Sequence, residues 1–393
     1  MWAQSESTPH TPKLLLTSQR LRRLQRDRQR QTVRWVNFAN RVESVPDSRE
    51  RGFELALFYA ITGDANRGRQ AVEWALGHRC ELRQVALVLD WAGDQALDSE
   101  RKQLASGAAC PHTGEAEAAR DALFLQIATG EDGEELVEKT AKPLLAGLQK
   151  YGWENGADLY TAFEFLYAAR SAEHVELRQE APQFFLSVPA ALLLSLKPEQ
   201  VQHPEWHVHA AALVLVALDT NLEASQYLQG WAIEDPQMIR EGEGVAYELL
   251  WADPYLPGVG YENLDPWSYD PQQGNLFART DWEASACWIH VSKAGIDERN
   301  CPAGWQQKTM SFGRLTLVPF SGSCVQLPKR KTDEAALVWK LRPGQAVYFT
   351  LNGRESSEAA DAIGMWKPAS NVEGRVCTSP DTLKVPPAHK GSK

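Results

Sequence analysis

Three clusters in this chain carry side chains whose types could do chemistry. The densest in histidine is His203-Pro204-Glu205-Trp206-His207-Val208-His209. Its glutamate stands two residues after the first histidine, so it is not the H-E-x-x-H metal helix. His207 and His209 are two apart, so a helix turns them to different sides. Neither a metal nor a cofactor is therefore expected here. One of these histidines could instead line a sugar cleft beside Trp206, since aromatic faces stack on sugar rings. The second cluster is Gly152-Trp153-Glu154-Asn155-Gly156-Ala157-Asp158-Leu159-Tyr160. Glu154 could bind sugar hydroxyls or be a solvated loop acid. Asn155 could neutralise a substrate carboxylate or cap the helix it opens, with Asp158 in the place of a capping-box partner. Glu154 and Asp158 as a carboxylate pair would suggest a toroid-type glycoside hydrolase. Hydrolases, however, set their two acids on opposite sides of the substrate, not on one short segment. The third cluster is aromatic: Trp251, Tyr255, Tyr261, Trp267 and Tyr269. It would make either a sugar subsite wall or a seam between two domains.

The elements that must position these groups fall in two regions. Apolar residues at three- and four-residue spacing predict helices over Leu14–Arg30, Thr32–Val45, Asp47–Ile61, Asn66–Gly77, Glu81–Ala92, Asp98–Ser106, Glu115–Ala128, Asp132–Lys150 and Ala157–Ala172. The series continues through Pro182–Leu196, Pro204–Asp219, Leu222–Ala232 and Gly242–Trp251. Pro182 and Pro204 suit first helical positions, whereas Pro189 should kink or split its segment. The arginine-rich run from Arg20 to Arg30 reads as a solvated helix face. Short connections make neighbouring helices antiparallel, and without a fixed-period repeat this favours an α/α toroid over a solenoid.

From Asn275 the period changes to two. Strands are predicted at Asn275–Arg279, Ala286–Lys293, Thr309–Phe320, Ala335–Arg342 and Gly344–Asn352. In the second, Cys287, Ile289 and Val291 alternate with Trp288, His290 and Ser292. The fold class expected is α+β multidomain: an N-terminal α/α toroid over residues 1–255, then an aromatic crossing, a small antiparallel β-sandwich and a tail over 256–393. Trp267, Tyr269 and Trp282 should pack the two regions together.

A net charge of −10 argues against nucleic acid as a partner. No apolar run is long enough for a membrane span. Trp2-Ala3-Gln4-Ser5 resembles the remnant of a cleaved signal, which makes a periplasmic or secreted location the expectation. Six cysteines without a CxxC pair leave two readings open for the four in the sheet region: two disulfides or buried thiols.

Three stretches resemble the heparinase II/III-like polysaccharide lyases. Leu87-Val88-Leu89-Asp90-Trp91 resembles an "LDW" helix of their toroids. Gly152–Tyr160 is similar to their "DG…E…Y" loop and helix start. Phe277-Ala278-Arg279-Thr280-Asp281-Trp282 resembles the "RSDW" of their first sandwich strands. The resemblance implies β-elimination at a uronic acid within an acidic polysaccharide or oligosaccharide. That chemistry needs a carboxylate neutraliser, a base and an acid. It makes Tyr160 the catalytic tyrosine, the alternative being a packed aromatic whose stripe Phe163 and Tyr167 continue; with the residues read above, the catalytic candidates are Tyr160, Asn155, His112 and His207 and the substrate-binding ones Trp153, Glu154, Trp206 and Tyr269. A tyrosine base needs positive neighbours to lower its pKa. The chain departs from the family at two places. Cys110-Pro111-His112-Thr113-Gly114 holds only His112 where an Asn or Asn-His is usual, and Gly304–Gly313 lacks the usual histidines before Ser311-Phe312. The expectation is therefore a divergent lyase-like protein, weakly active or inactive, or a non-catalytic carbohydrate-binding or scaffold protein on the same fold.

Overall fold

The structure is a computed structural model. It describes the backbone of residues 12–108, 110–151, 156–234, 236–270, 275–292, 295–305, 310–312, 315–320, 324–326, 334–342, 345–352, 365–366 and 375–377. Side chains are described within 12–148 and 159–268 (109 and 235 excepted), 275–291 and 296–305, and at Phe312.

Among the described residues are fourteen α-helices: α1 (Ser18–Gln29), α2 (Val33–Ser44), α3 (Arg51–Thr62), α4 (Ala65–Gly77), α5 (Leu82–Ala92), α6 (Asp98–Ala105), α7 (Glu115–Thr129), α8 (Glu134–Tyr151), α9 (Gly156–Ala172), α10 (Pro182–Ser195), α11 (Pro198–Gln202), α12 (Trp206–Leu218), α13 (Glu223–Ala232) and α14 (Gly244–Trp251). Local chemistry sets many of their ends. The side chains of Thr17, Thr32 and Asp64 accept from backbone N–H groups of the first turns of α1, α2 and α4. Gly63 and Gly130 end α3 and α7 in the left-handed conformation, at φ 72° and 80°.

Contacts between helices follow a definite order. α3 packs on α5, α5 on α7, α7 on α9, α9 on α12 and α12 on α14; α14 meets α2, and α2 meets α3. The central members are apolar beyond a single stripe. Every residue of α5 and of α14 is buried, as is α12 from His209 through Val216. A helix buried all round must lie inside a larger helical body.

Several expectations are corrected. α1 begins at Ser18 rather than Leu14; Leu14, Leu15 and Leu16 form a buried strap before it. Asp90 Oδ2 accepts from the Leu14 N–H at 2.8 Å, and Trp91 Nε1 donates to the Leu14 carbonyl at 2.9 Å. The Asp-Trp of the Leu89-Asp90-Trp91 stretch is thus the clamp for this strap. The basic run is not wholly a solvated face, because Arg20 and Arg23 are buried. Pro189 lies inside an uninterrupted α10, and Pro204 precedes α12 rather than opening it. The short α11 was not foreseen.

The sheet region begins with a four-stranded antiparallel sheet in the order β1-β2-β3-β4: β1 (Trp267–Asp270), β2 (Asn275–Arg279), β3 (Trp288–Ser292) and β4 (Gly295–Arg299). β2 matches the predicted bounds; β1 and β4 were not foreseen. The predicted strand Thr309–Phe320 is two strands, β5 (Met310–Phe312) and β6 (Leu315–Phe320). β7 (Cys324–Gln326), β8 (Glu334–Arg342), β9 (Gln345–Asn352), β10 (Met365–Trp366) and β11 (Arg375–Cys377) follow, giving a five-stranded order β10-β8-β9-β6-β5 and a pair β11-β7.

The first sheet docks on α10. Trp288 Nε1 donates to the Leu194 carbonyl at 2.8 Å, and Lys197 Nζ pairs with Asp297 at 3.3 Å. The alternation read in β3 is therefore incomplete: Ile289 and Val291 are buried, but so is Trp288 on the other face. Of the three aromatic anchors expected, Trp282 is buried edge-on against Tyr261, 5.2 Å between rings, and Trp267 is half-buried. The side chain of Tyr269 lies outside the described residues.

Among the described residues there are two disulfides, Cys80–Cys110 and Cys287–Cys301. The second takes two of the four sheet-region cysteines. The first ties the α4–α5 connection to the segment before α7 and was not anticipated.

Candidate functional site

Six helices meet a pocket of about 240 Å³ at their N-terminal ends. Glu50 stands at the N-cap position of α3 and Arg83 sits in the first turn of α5; Asp121 lies in α7, Tyr160 in α9, His207 is the second residue of α12, and Tyr247 comes from α14. Three residues singled out in the sequence, Tyr160, Trp206 and His207, thus share one cavity. Trp206 stacks on Tyr247 with ring centroids 4.7 Å apart. His207 Nε2 reaches the Glu205 carboxylate at 3.1 Å.

The floor of the pocket is a ladder of alternating charge. Arg83 donates from Nε and Nη2 to the two Glu164 oxygens, each at 2.7 Å, and from Nη1 to Glu50 at 2.9 Å. Glu164 is fully buried, and Arg120 approaches it at 3.7 Å. Arg120 in turn grips Asp121 at 2.8 Å, and His112 Nδ1 lies 3.6 Å from the other Asp121 oxygen. His112 itself stands at the margin, held near Asp121 by the segment that Cys110 staples to Cys80.

Tyr160 is locked into this ladder. It donates to Glu164 Oε1 at 2.6 Å and accepts from Arg83 at 3.2 Å and from Trp251 Nε1 at 3.3 Å. Burial and then the Glu164 charge push its pKa well above the ordinary tyrosine value, and Arg83 opposes them without reversing the result. Burial likewise raises the Tyr247 hydroxyl and the Glu50 carboxyl. The Asp121 carboxyl also goes up, because burial outweighs Arg120. Glu117 goes the other way: burial would raise it, but hydrogen bonds from Thr113 win and hold it down. Burial would weaken the charged form of Arg83, yet Glu164 overrides it and the guanidinium keeps its proton more tightly than usual.

Trp153, Glu154 and Asn155 lie outside the described residues, as do the side chains of Asp158 and Tyr269. The candidates therefore divide: Tyr160, Trp206 and His207 come together, His112 stands one carboxylate behind them, and the remaining four have no described side chain. Sequence reasoning missed Glu50, Arg83, Arg120, Asp121, Glu164 and Tyr247. One local signal was available for Glu164: a lone acid in the apolar run Ala162-Phe163-Glu164-Phe165-Leu166, one helical turn after Tyr160.

A search against protein-family models and against curated proteins found no match for this chain.

Proposed function

We propose that this protein binds a saccharide in the Tyr160 pocket without cleaving it, on an α/α toroid related to the heparinase II/III-like lyases. The observation that carries the reading is the hydrogen bond from the Tyr160 hydroxyl to a fully buried Glu164. A tyrosine serving as base in β-elimination must lose its proton readily, which requires net positive surroundings. Here the nearest charge is a carboxylate that holds the proton in place, and Arg83 is already paired on both sides. The ring of helix contacts and the convergence of six N-terminal ends support a toroid, and the docked sheet stands where a sandwich would follow.

The pocket's lining also bears on the ligand. Glu50, Glu81, Glu117 and Asp121 outnumber Arg83 and Arg120. Carboxylates and guanidinium groups bond sugar hydroxyls well, and the Trp206–Tyr247 pair offers a stacking surface. A carboxylated sugar would meet repulsion there, so a neutral, hydroxyl-rich sugar fits better. The two disulfides suit an oxidising compartment, consistent with export.

The test pairs calorimetric titration of neutral oligosaccharides with ultraviolet detection of unsaturated uronate from acidic polymers. Binding that weakens at least about tenfold in Trp206→Ala, with no unsaturated product, is expected; one lost stacking contact plus a pocket wall is of that order. Robust product formation that vanishes in Tyr160→Phe would overturn the reading and establish a lyase.

A further inference from the structure

One side of the Tyr160 pocket is tied down by a covalent bond. Cys80 lies in the turn between α4 and α5 and is itself one of the pocket's lining residues. Its disulfide partner Cys110 lies in the segment 106–114, between α6 and α7. The described residues of that segment are neither helix nor strand, so no regular backbone ladder holds them.

Side chains hold the segment at both ends, and the disulfide holds its middle. At the start, Arg79 Nη2 donates to the Gln103 carbonyl at 3.2 Å, to Ser106 Oγ at 3.1 Å and to the Gly107 carbonyl. At the far end, Thr113 donates from its N–H and from Oγ1 to Glu117 Oε2, at 2.6 Å each. His112 Nδ1 lies 3.6 Å from Asp121 Oδ2. α7 then starts after Gly114 without a side-chain cap, so its first turns take their place from this segment. Those turns carry Glu117 and Asp121 into the pocket lining. A line of contacts therefore runs from the Cys80 sulfur through Cys110 and Thr113 to carboxylates that line the pocket.

The two described disulfides differ in access. Cys80 is exposed, whereas Cys287 is 5% exposed at the start of β3. Thiol–disulfide exchange needs a thiolate to reach a sulfur, so access decides which bond opens first. Opening the first bond would have a confined effect. Beyond its first two turns α7 is anchored by the buried side chains of Leu123, Phe124 and Ile127. Release is thus a local event rather than unfolding.

We propose that the Cys80–Cys110 disulfide is a redox latch on the Tyr160 pocket. Intact, it keeps Glu117 and Asp121 in place for a ligand; reduced, it frees the segment and the first turns of α7, and binding weakens. The inference rests on the reading of that pocket as a saccharide site. The reductant is a dithiol. One of its thiolates attacks the Cys80 sulfur, the Cys80–Cys110 bond breaks, and the electron pair leaves on Cys110. The second thiolate attacks the resulting mixed disulfide and releases Cys80. Two electrons pass to the protein, the dithiol becomes a disulfide, and its two protons end on the two cysteines.

The experiment treats the full chain with graded dithiothreitol and reads cysteine alkylation and amide hydrogen exchange by mass spectrometry. Calorimetry follows maltotriose affinity in parallel. Cys80 and Cys110 should be alkylated before Cys287 and Cys301. Exchange over 110–121 should then quicken at least about tenfold, with α14 and the helical circular dichroism unchanged, and oxidised glutathione should reverse it. Maltotriose affinity should fall about tenfold, the order expected for one lost hydrogen bond to a charged group. The double variant Cys80→Ser with Cys110→Ser should match the reduced protein and ignore dithiothreitol. Prior opening of Cys287–Cys301, or exchange over 110–121 unmoved once Cys80 and Cys110 are reduced, would overturn the latch. So would loss of helical signal in step with reduction, which marks a structural staple, or maltotriose affinity equal in the two redox states. An oxidised chain that binds no maltotriose would sink the saccharide reading alone, and the exchange result would then decide the latch.

Discussion

Among the described residues, the ionised groups buried beside Tyr160 are paired: Glu164 with Arg83 and Asp121 with Arg120. Glu164 without Arg83 would be a buried, unpaired carboxylate, a loss of about 3–5 kcal/mol. The pair His209–Glu248 is the exception that titrates. His209 is 1% exposed; its Nε2 reaches the Ala232 carbonyl at 3.0 Å, and its Nδ1 lies 3.3 Å from Glu248 Oε2. Burial lowers the histidine to about 4 and raises the glutamate to about 7. The neutral pair is therefore favoured, with the Nε2 proton on the carbonyl and Nδ1 facing the carboxyl. The two groups act oppositely on stability. The raised Glu248 contributes stability fully present below its unfolded pKa near 4.5 and lost as pH rises through about 7. The lowered His209 contributes stability present above about 6.5 and lost as pH falls through about 4. Glu248→Gln mimics the protonated acid at every pH. It should match the wild type near pH 4.5 and exceed it at pH 8 by an amount on the order of 3 kcal/mol. Chemical denaturation at the two pH values measures this; a variant less stable than wild type at pH 8 would refute the assignment.

At the scale of elements, the crossing between the two regions is pinned by glycines. A Cβ on Gly230 of α13 would stand 2.0 Å from the Val259 carbonyl oxygen, and one on Gly258 would stand 2.5 Å from the Gly230 backbone. The two backbones touch, and that contact lets the Val259 N–H reach the Gln226 carbonyl at 3.0 Å. Gln229 adds bonds to the carbonyls of Asp253 and Leu256 at 2.9 and 3.2 Å. The segment is thus part of the helical body rather than a tether. Gly230→Ala should lower stability by about 1–3 kcal/mol, because a rigid backbone oxygen cannot yield as a side chain can. A melting temperature unchanged from wild type would show that the crossing is looser than these contacts imply.

Across the whole molecule, the junction between helices and the first sheet depends on a few side chains that bond backbone carbonyls at the end of α10. Trp288 is buried with its indole N–H on Leu194. Arg279 is fully buried over the Trp282 ring at 4.2 Å, and burial lowers its pKa to about 10. Removing the Trp288 ring deletes the largest of these contacts, and Trp288→Ala should cost about 3–5 kcal/mol. It should also speed limited proteolysis between Leu256 and Asp270, read by mass spectrometry. A digestion pattern identical to wild type would place the main anchor elsewhere. Among the described residues no helix is long and apolar enough to cross a membrane.

What the sequence determined by itself is local. Helix positions follow from three- and four-residue apolar spacing, capping residues and glycine stops, all acting within a few residues, and so α5, α7 and α9 fall within one or two residues of their predicted bounds. The strand Asn275–Arg279 was also located, as β2, although it is buried from Leu276 through Arg279 rather than on alternate residues. The trio Tyr160, Trp206 and His207 was legible as chemistry-bearing types, two of them within a single short motif. Only the tertiary structure decided what those residues do. Arg83 meets Tyr160 across 77 residues and Glu164 across 81, and Trp251 reaches Tyr160 across 91. No local pattern encodes a partner at that distance, and it is the partner that sets whether the tyrosine proton is loose or held. The same holds for the arginines of α1. Their spacing suggests a solvated face, but Tyr167 of α9 and Trp251 at the end of α14 lie against that helix, so Arg20 and Arg23 are buried.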